Sequence, residues 1–246
     1  MSTGVRRSAA RTAVVWEAVR QVLEAPGSFY EDRARIIDIG GGTGGFAVRL
    51  AGLGHRVTVV DPSPDALAAL GRRAAESDVT DLVTGVQGDL ADLADLPALD
   101  EPADLVLCHG VLEVVPDPAA ALATLREVLR PGGTLSLLVA QRHAAVIARA
   151  LAGHFQQALA MLEAGYHETG RSGRRFTRDE VTDLLAAAGF ETTDVHGVRV
   201  FADLVPGSLL DLEPGATAAL VELEQAVAER PEYLPLATQL HVLAKR

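Results

Sequence analysis

Asp38-Ile39-Gly40-Gly41-Gly42-Thr43-Gly44-Gly45 is the stretch of this chain best suited to chemistry, because it exposes main chain rather than side chain. Glycines let the backbone take positive φ and let a ligand approach its amides closely. The apolar run before the cluster and the helix-compatible run after it place those amides at a helix amino terminus, where unpaired N–H groups favour an anionic or polar ligand. Asp61 follows about 20 residues on, at the end of the next β-rich run, where a carboxylate can accept hydrogen bonds from ribose hydroxyls. Gly88-Asp89 supplies a further acid that could read an adenine amino group. Gly40, Gly42 and Gly45 also satisfy the dinucleotide fingerprint G-x-G-x-x-G, so these residues alone admit a nicotinamide-dependent oxidoreductase.

The other candidates for chemistry are a histidine and a set of arginines. His109 ends the apolar run Leu105-Val106-Leu107-Cys108 and is the candidate general base if an acceptor must lose a proton. Cys108 reads as a buried strand residue rather than a nucleophile. As the only cysteine it excludes an internal disulfide. From Arg142 to Arg178 six arginines stand against two acids, Glu163 and Glu168, in a chain of net charge −11. A basic island on an acidic body suits an anionic ligand held at one place, and the overall sign argues against general nucleic-acid binding. Arg174 and Arg175 in that island, and Arg199 in Gly197-Val198-Arg199-Val200, are the candidates for clamping an acceptor carboxylate, because a planar guanidinium matches two oxygens. The seven histidines show no close ligand spacing with acids or cysteine, so no catalytic metal is expected.

Residues so far apart need a scaffold that gathers strand ends, and the hydrophobic pattern provides one. Short β-rich runs alternate with amphipathic stretches, the signature of a parallel α/β sheet. Strands are expected over 35–39, 56–61, 83–87, 103–108 and 134–140. Helices are expected over about 8–24, from the glycine cluster to about 53, over 64–75, and over 119–129 with a stop at Pro131-Gly132-Gly133. A helical, Arg- and His-bearing insertion then spans 141–176. A helix over 177–188, strands over 190–201 and 239–245, and a helix over 214–228 between those strands complete the chain. The expectation is one α/β domain over 1–246, with an N-terminal helical segment to about 34 and the insertion as a cap on the acceptor side. Right-handed crossovers place the carboxyl ends of strands one, two and four beside one crevice. With no apolar run long enough for a bilayer or a secretory signal, a cytoplasmic protein with no membrane partner is expected.

Taken in order, the glycine cluster, Asp61, Gly88-Asp89 and Leu129-Arg130-Pro131-Gly132-Gly133 resemble the class I S-adenosylmethionine-dependent methyltransferases, from about Arg11 to the end. The resemblance implies a Rossmann-like, doubly wound α/β fold whose seven-stranded, mostly parallel sheet has an antiparallel last strand, supplied by His241 to Lys245. It also implies S-adenosyl-L-methionine as cofactor and S-adenosyl-L-homocysteine as product. Arg11-Thr12-Ala13-Val14-Val15-Trp16, Leu53-Gly54-His55-Arg56-Val57, His109-Gly110-Val111-Leu112-Glu113, Gly153-His154-Phe155, Gly197-Val198-Arg199-Val200-Phe201 and Leu240-His241-Val242 are similar to a narrower group, the bacterial tRNA 5-carboxymethoxyuridine methyltransferases. Those enzymes esterify the carboxylate of a modified wobble uridine. By that resemblance Arg11 contacts the cofactor's carboxylate, Gly40 and Gly41 its methionine part, and Asp61 with Pro62 its ribose. Gln87, Gly88 and Asp89 surround the adenine, and His109 lies near the cofactor. Asp38, Gly42 and Cys108 complete the candidate cofactor contacts.

The chain departs from that group in its cations. The insertion lacks the group's lysine-rich run, and Lys245 is the only lysine. Val114 stands where tryptophan is common. Fewer cations mean fewer phosphate contacts and a smaller salt dependence. Transfer RNA and a small anionic metabolite therefore both stand as acceptors, beside the more distant readings of an NAD-dependent oxidoreductase and a non-catalytic S-adenosylmethionine-binding protein. Fluorescence titration separates the classes: saturable binding of S-adenosylmethionine and none of NADH is expected, and the reverse would make the chain a nicotinamide enzyme.

Overall fold

A computed structural model of the chain describes residues 3–25, 33–96, 99–165, 173–212 and 215–246. In chain order its elements are α1 (Thr3–Glu24), β1 (Arg35–Ile39), α2 (Ala47–Gly52), β2 (Arg56–Asp61), α3 (Pro64–Glu76), β3 (Val83–Gln87), β4 (Ala103–His109), α4 (Pro118–Val128), β5 (Leu129–Ala140), α5 (Arg142–Leu151), α6 (Phe155–Glu163), α7 (Arg178–Ala187), β6 (Glu191–Val198), α8 (Gly207–Leu212), α9 (Ala216–Val227) and β7 (Gln239–Lys245). The strands form one seven-stranded sheet in the order β3-β2-β1-β4-β5-β7-β6. The first five run parallel. β7 is antiparallel to β5: rising numbers on β5 meet falling numbers on β7, as the amides of Gly132 and Gln141 bond to the carbonyls of Arg246 and Thr238. This is the Rossmann-like α/β arrangement the motifs implied.

The chain divides into two compact units. One contains residues 21–138, 182–193 and 242–246. Its central strands β1, β4 and β5 are apolar because both faces are covered, and Ile36, Ile37, Leu105, Leu107, Leu135 and Leu137 are fully buried. Helices α3 and α4 begin where side chains satisfy the first free amides. Ser63 accepts from Ala66 N at 3.2 Å ahead of Pro64, and Asp117 accepts from Ala119 N and Ala120 N ahead of Pro118.

The other unit contains residues 1–20, 139–181 and 194–241. Thr177 and Glu180 form a reciprocal capping box at the start of α7, and Glu180 is also ion-paired with buried Arg142 at the start of α5. That pair holds the Glu180 carboxyl below its usual range against the opposing pull of burial. Glu224 on α9 is fully buried, and its carboxylate accepts from three successive amides, Val200 N at 3.0 Å, Phe201 N at 2.8 Å and Ala202 N at 2.7 Å.

Three expectations need correction. Pro131-Gly132-Gly133 does not separate helix from strand, because β5 begins at Leu129 and takes the three residues in, with a register shift against β4. The strand expected to reach residue 201 ends at Val198, because Arg199 takes a left-handed φ of 62° and Glu224 captures the next three amides. Helix α8 was not anticipated. Pro26-Gly27, Arg171 and the neighbouring part of the insertion, residues 166–172, lie outside the described residues. No helix among the described residues is long and apolar enough to cross a membrane.

Removing the Glu224 carboxylate strands three buried amides, each costing about 1–3 kcal/mol. Urea unfolding of E224A is expected to show a loss of about 3 kcal/mol or more, and E224Q, which keeps one acceptor oxygen, a smaller loss.

Candidate active site

Parallel pairing sets Ile39 beside Val60 and Cys108, and Asp61 beside Gln87, so the carboxyl ends of β1 to β4 open at one edge. The glycine turn leaves β1 there. Gly40 donates its amide to Val60 O at 2.7 Å and has a φ of 66°, and a Cβ on it would come 2.6 Å from Val111. A side chain at Gly41 would likewise meet the Asp38 carboxylate at 2.5 Å. Glycine is therefore required for the turn to lie this close to its neighbours. Asp61 at the end of β2 accepts from Gly42 N through Oδ2 and from Ser63 N through Oδ1, each at 2.9 Å.

A cavity of about 730 Å³ lies over these strand ends, with Gly40, Asp61, Pro62, Gly88, Asp89 and His109 in its lining and Val111, Val114, Val115 and Pro116 along an apolar wall. Asp89 accepts from Ala91 N at 2.7 Å, so its carboxylate also starts the 3-10 turn Leu90–Asp95. Gln87 reaches Pro62 O at 3.4 Å and does not line the cavity. Cys108 is fully buried, and burial raises its thiol above the usual range, so it stays a protonated strand residue. His109 places its Nε2 2.9 Å from Ser136 Oγ and meets the Phe46 ring edge-on. Burial lowers its pKa to about 4, so it is a neutral imidazole near pH 7. Asp38 is buried beneath the turn; burial first, and the Asp61 charge second, raise its pKa to about 7.

The site fits a nucleoside with a polar tail. Asp61 retains lone pairs after its two amide bonds, enough for a vicinal diol. Gly40, Gly41 and Gly42 carry no Cβ that would bar a ligand from the main chain. Residues 12–195 match the family model of a methyltransferase domain. The chain belongs to the class I S-adenosylmethionine-dependent methyltransferases. Over 245 residues, 99% of this chain and 90% of the relative, this methyltransferase is 31% identical to the tRNA 5-carboxymethoxyuridine methyltransferase of Escherichia coli K12. It is 33% identical to a ubiquinone biosynthesis O-methyltransferase of Xylella fastidiosa 9a5c over 168 residues, 68% of this chain and 64% of that one. Among solved structures, an S-adenosylmethionine-dependent methyltransferase of Mesorhizobium loti has a TM-score of 0.60 at 23% identity, covering 96% of this chain and 100% of its own. A possible histamine N-methyltransferase of Thermotoga maritima has a TM-score of 0.60 at 21% identity, with 98% and 91% covered. These two carry the fold alone. S-adenosylmethionine is the cofactor of this methyltransferase.

The arginines singled out from the sequence belong to the other unit. Arg11 is ion-paired with Asp203 Oδ1 at 2.7 Å. Arg199 pairs with the other oxygen of Asp203 and bonds through Nη1 to Gln239 Oε1 at 3.2 Å. It was expected to reach inward from a strand; it instead follows β6 in a left-handed turn whose carbonyl accepts from Thr238 Oγ1 at 3.0 Å. Arg174 is buried and Arg175 half-buried, two residues and one residue before Phe176, which bridges Gln141. Asp203, Glu224 and Ser136 were not singled out from the sequence. Two of them left a trace there. Ser136 is a hydroxyl in an apolar strand, and Glu224 lies at helical spacing from buried Leu220 and Val227.

The raised pKa of Asp38 has a defined sign. The folded value of about 7 lies above the ordinary 3.8, so the stability its protonated form contributes is complete below pH 3.8 and is lost as pH climbs to 7. In apo-protein, D38N is expected to gain on wild type by roughly 3 kcal/mol between pH 5 and pH 8, measured by denaturant unfolding at both values. No change in the difference would place Asp38 in a solvated setting.

Proposed function

We propose that this methyltransferase transfers the methyl group to a carboxylate oxygen, nearest in kind to O-methylation of 5-carboxymethoxyuridine in tRNA. One observation carries the reading: similarity to the tRNA enzyme continues past residue 195, where the family domain ends, into the segment that locks Arg199. Arg199 adopts a φ of 62°, uncommon for a side-chain-bearing residue. Its carbonyl is held by Thr238 and its guanidinium by Asp203 and Gln239, while Glu224 holds the following amides. A strained conformation secured from so many sides is what a positioned functional group needs.

S-adenosylmethionine supplies an activated methyl group on a positively charged sulfur. Gly40, Gly41 and Gly42 present main chain to its amino-acid part, with Asp38 beneath. Asp61 and Pro62 hold the ribose, and Gly88 and Asp89, with Gln87 behind, bound the adenine. An acceptor carboxylate is already ionised near neutral pH, so no general base is needed, which agrees with a His109 that gains a proton only near pH 4. What the acceptor requires is alignment, an effect worth up to about 7–11 kcal/mol. Arg199 is the candidate for that role, with Arg11 sharing its Asp203 and the arginine-bearing insertion contributing further positive charge. A tRNA substrate would place the protein in the cytoplasm.

A second reading is O-methylation of a small anionic metabolite. It is favoured by the net charge of −11 and the single lysine, which leave little surface for a polyanion. Incubation with labelled methyl donor and total tRNA decides between them: label released from tRNA by mild alkali as a methyl ester is expected. Label confined to a small-molecule fraction would sink the tRNA reading. R199A should lower kcat/KM for the acceptor by about 30-fold or more, the size of a lost charged pair. R199K should recover little, because lysine lacks the fork.

A further inference from the structure

Ser136 interrupts an apolar strand, between Leu135 and Leu137, with no exposed surface at all. A hydroxyl there has to be hydrogen-bonded or it destabilises the sheet. One partner is the imidazole of His109 on the neighbouring strand, at 2.9 Å. The two strands are in register, Leu107 opposite Ser136 and His109 opposite Leu138. His109 is a lining residue of the cavity over the strand ends, and Phe46 meets its ring edge-on at a centroid distance of 5.2 Å. Burial keeps the ring neutral near pH 7, so its two nitrogens are chemically distinct, one carrying a proton and one a lone pair.

We propose that Ser136 is a positioning residue for methyl-donor binding, anchoring Nε2 of His109 so that one ring orientation faces the cavity. The anchor commits Nε2 to Ser136, on the neighbouring strand. Phe46 restrains the tilt of the ring, and Ser136 sets which nitrogen is used. The role is indirect: Ser136 acts through the imidazole and makes no contact of its own with the donor. The inference rests on the reading that His109 touches the donor.

The test joins ring-nitrogen NMR of His109 with calorimetric titration of S-adenosylhomocysteine into wild type, S136A and H109Q. Wild type should show a single, sharp set of ring-nitrogen shifts. S136A should show averaged or exchanged ring-nitrogen shifts and bind S-adenosylhomocysteine roughly five- to tenfold more weakly, the size of one misplaced hydrogen bond. S136C, of similar volume and with a weaker donor, should fall between, and it carries the test if S136A does not fold. Unchanged ring shifts and affinity in the serine variants, with weakened binding in H109Q, would overturn the role of Ser136. If H109Q also binds normally, the donor contact of His109 is what fails, and the proposal falls with it.

Discussion

The Asp61 carboxylate is the interaction on which the donor-side geometry depends. One oxygen holds the amide of Gly42 and the other that of Ser63, each at 2.9 Å, so a single side chain ties the turn after β1 to the start of α3. Parallel strands cannot exchange hydrogen bonds beyond their ends, and the chain leaving them has amides with no ladder partner. A carboxylate at the last position of β2 meets that need and still has lone pairs for hydroxyl groups. Its cost falls on Asp38, buried beneath the same turn and pushed up to about 7, with the Asp61 charge adding to the effect of burial. Two acids so near one another, with unequal solvation, divide the work: Asp61 organises main chain, while Asp38 is left poised between its two protonation states.

The same device recurs in the other unit with a different outcome. Glu224 gathers three amides after β6 and thereby stops the strand. Arg199 is forced into a left-handed conformation just before them, and Asp203 just after them receives both Arg199 and Arg11. Two guanidinium groups therefore share one carboxylate. An acidic protein can hold an anion by such local arrangement even though its overall field opposes one.

Strand positions were legible in the sequence because they follow from solvent exclusion. Runs such as Ile36-Ile37 and Val59-Val60 are apolar on successive residues, which a strand covered on both faces accommodates. Helix starts were legible at Ser63-Pro64 and Asp117-Pro118, where a capping oxygen precedes a residue with no amide to satisfy. Local punctuation misled where pairing overrode it. Pro131-Gly132-Gly133 reads as a break, yet Gly132 and Gly133 are held by Arg246 and belong to β5. Val198-Arg199-Val200 alternates as a strand would, but Glu224, far along the chain, claims the amides that would have continued it.

What the sequence determined by itself is the chemistry on offer: glycines where the main chain must lie bare, an acid at the tip of the following strand, a lone buried thiol, and a scarcity of lysine. Those properties are local, set by side-chain type and short spacing. What only the tertiary structure decided is which charges meet. Arg11 and Arg199 share Asp203, Ser136 anchors His109, and Asp38 lies close enough to Asp61 to feel its charge. Coulomb and hydrogen-bond energies depend on separation and burial in space, and spacing along the chain carries neither.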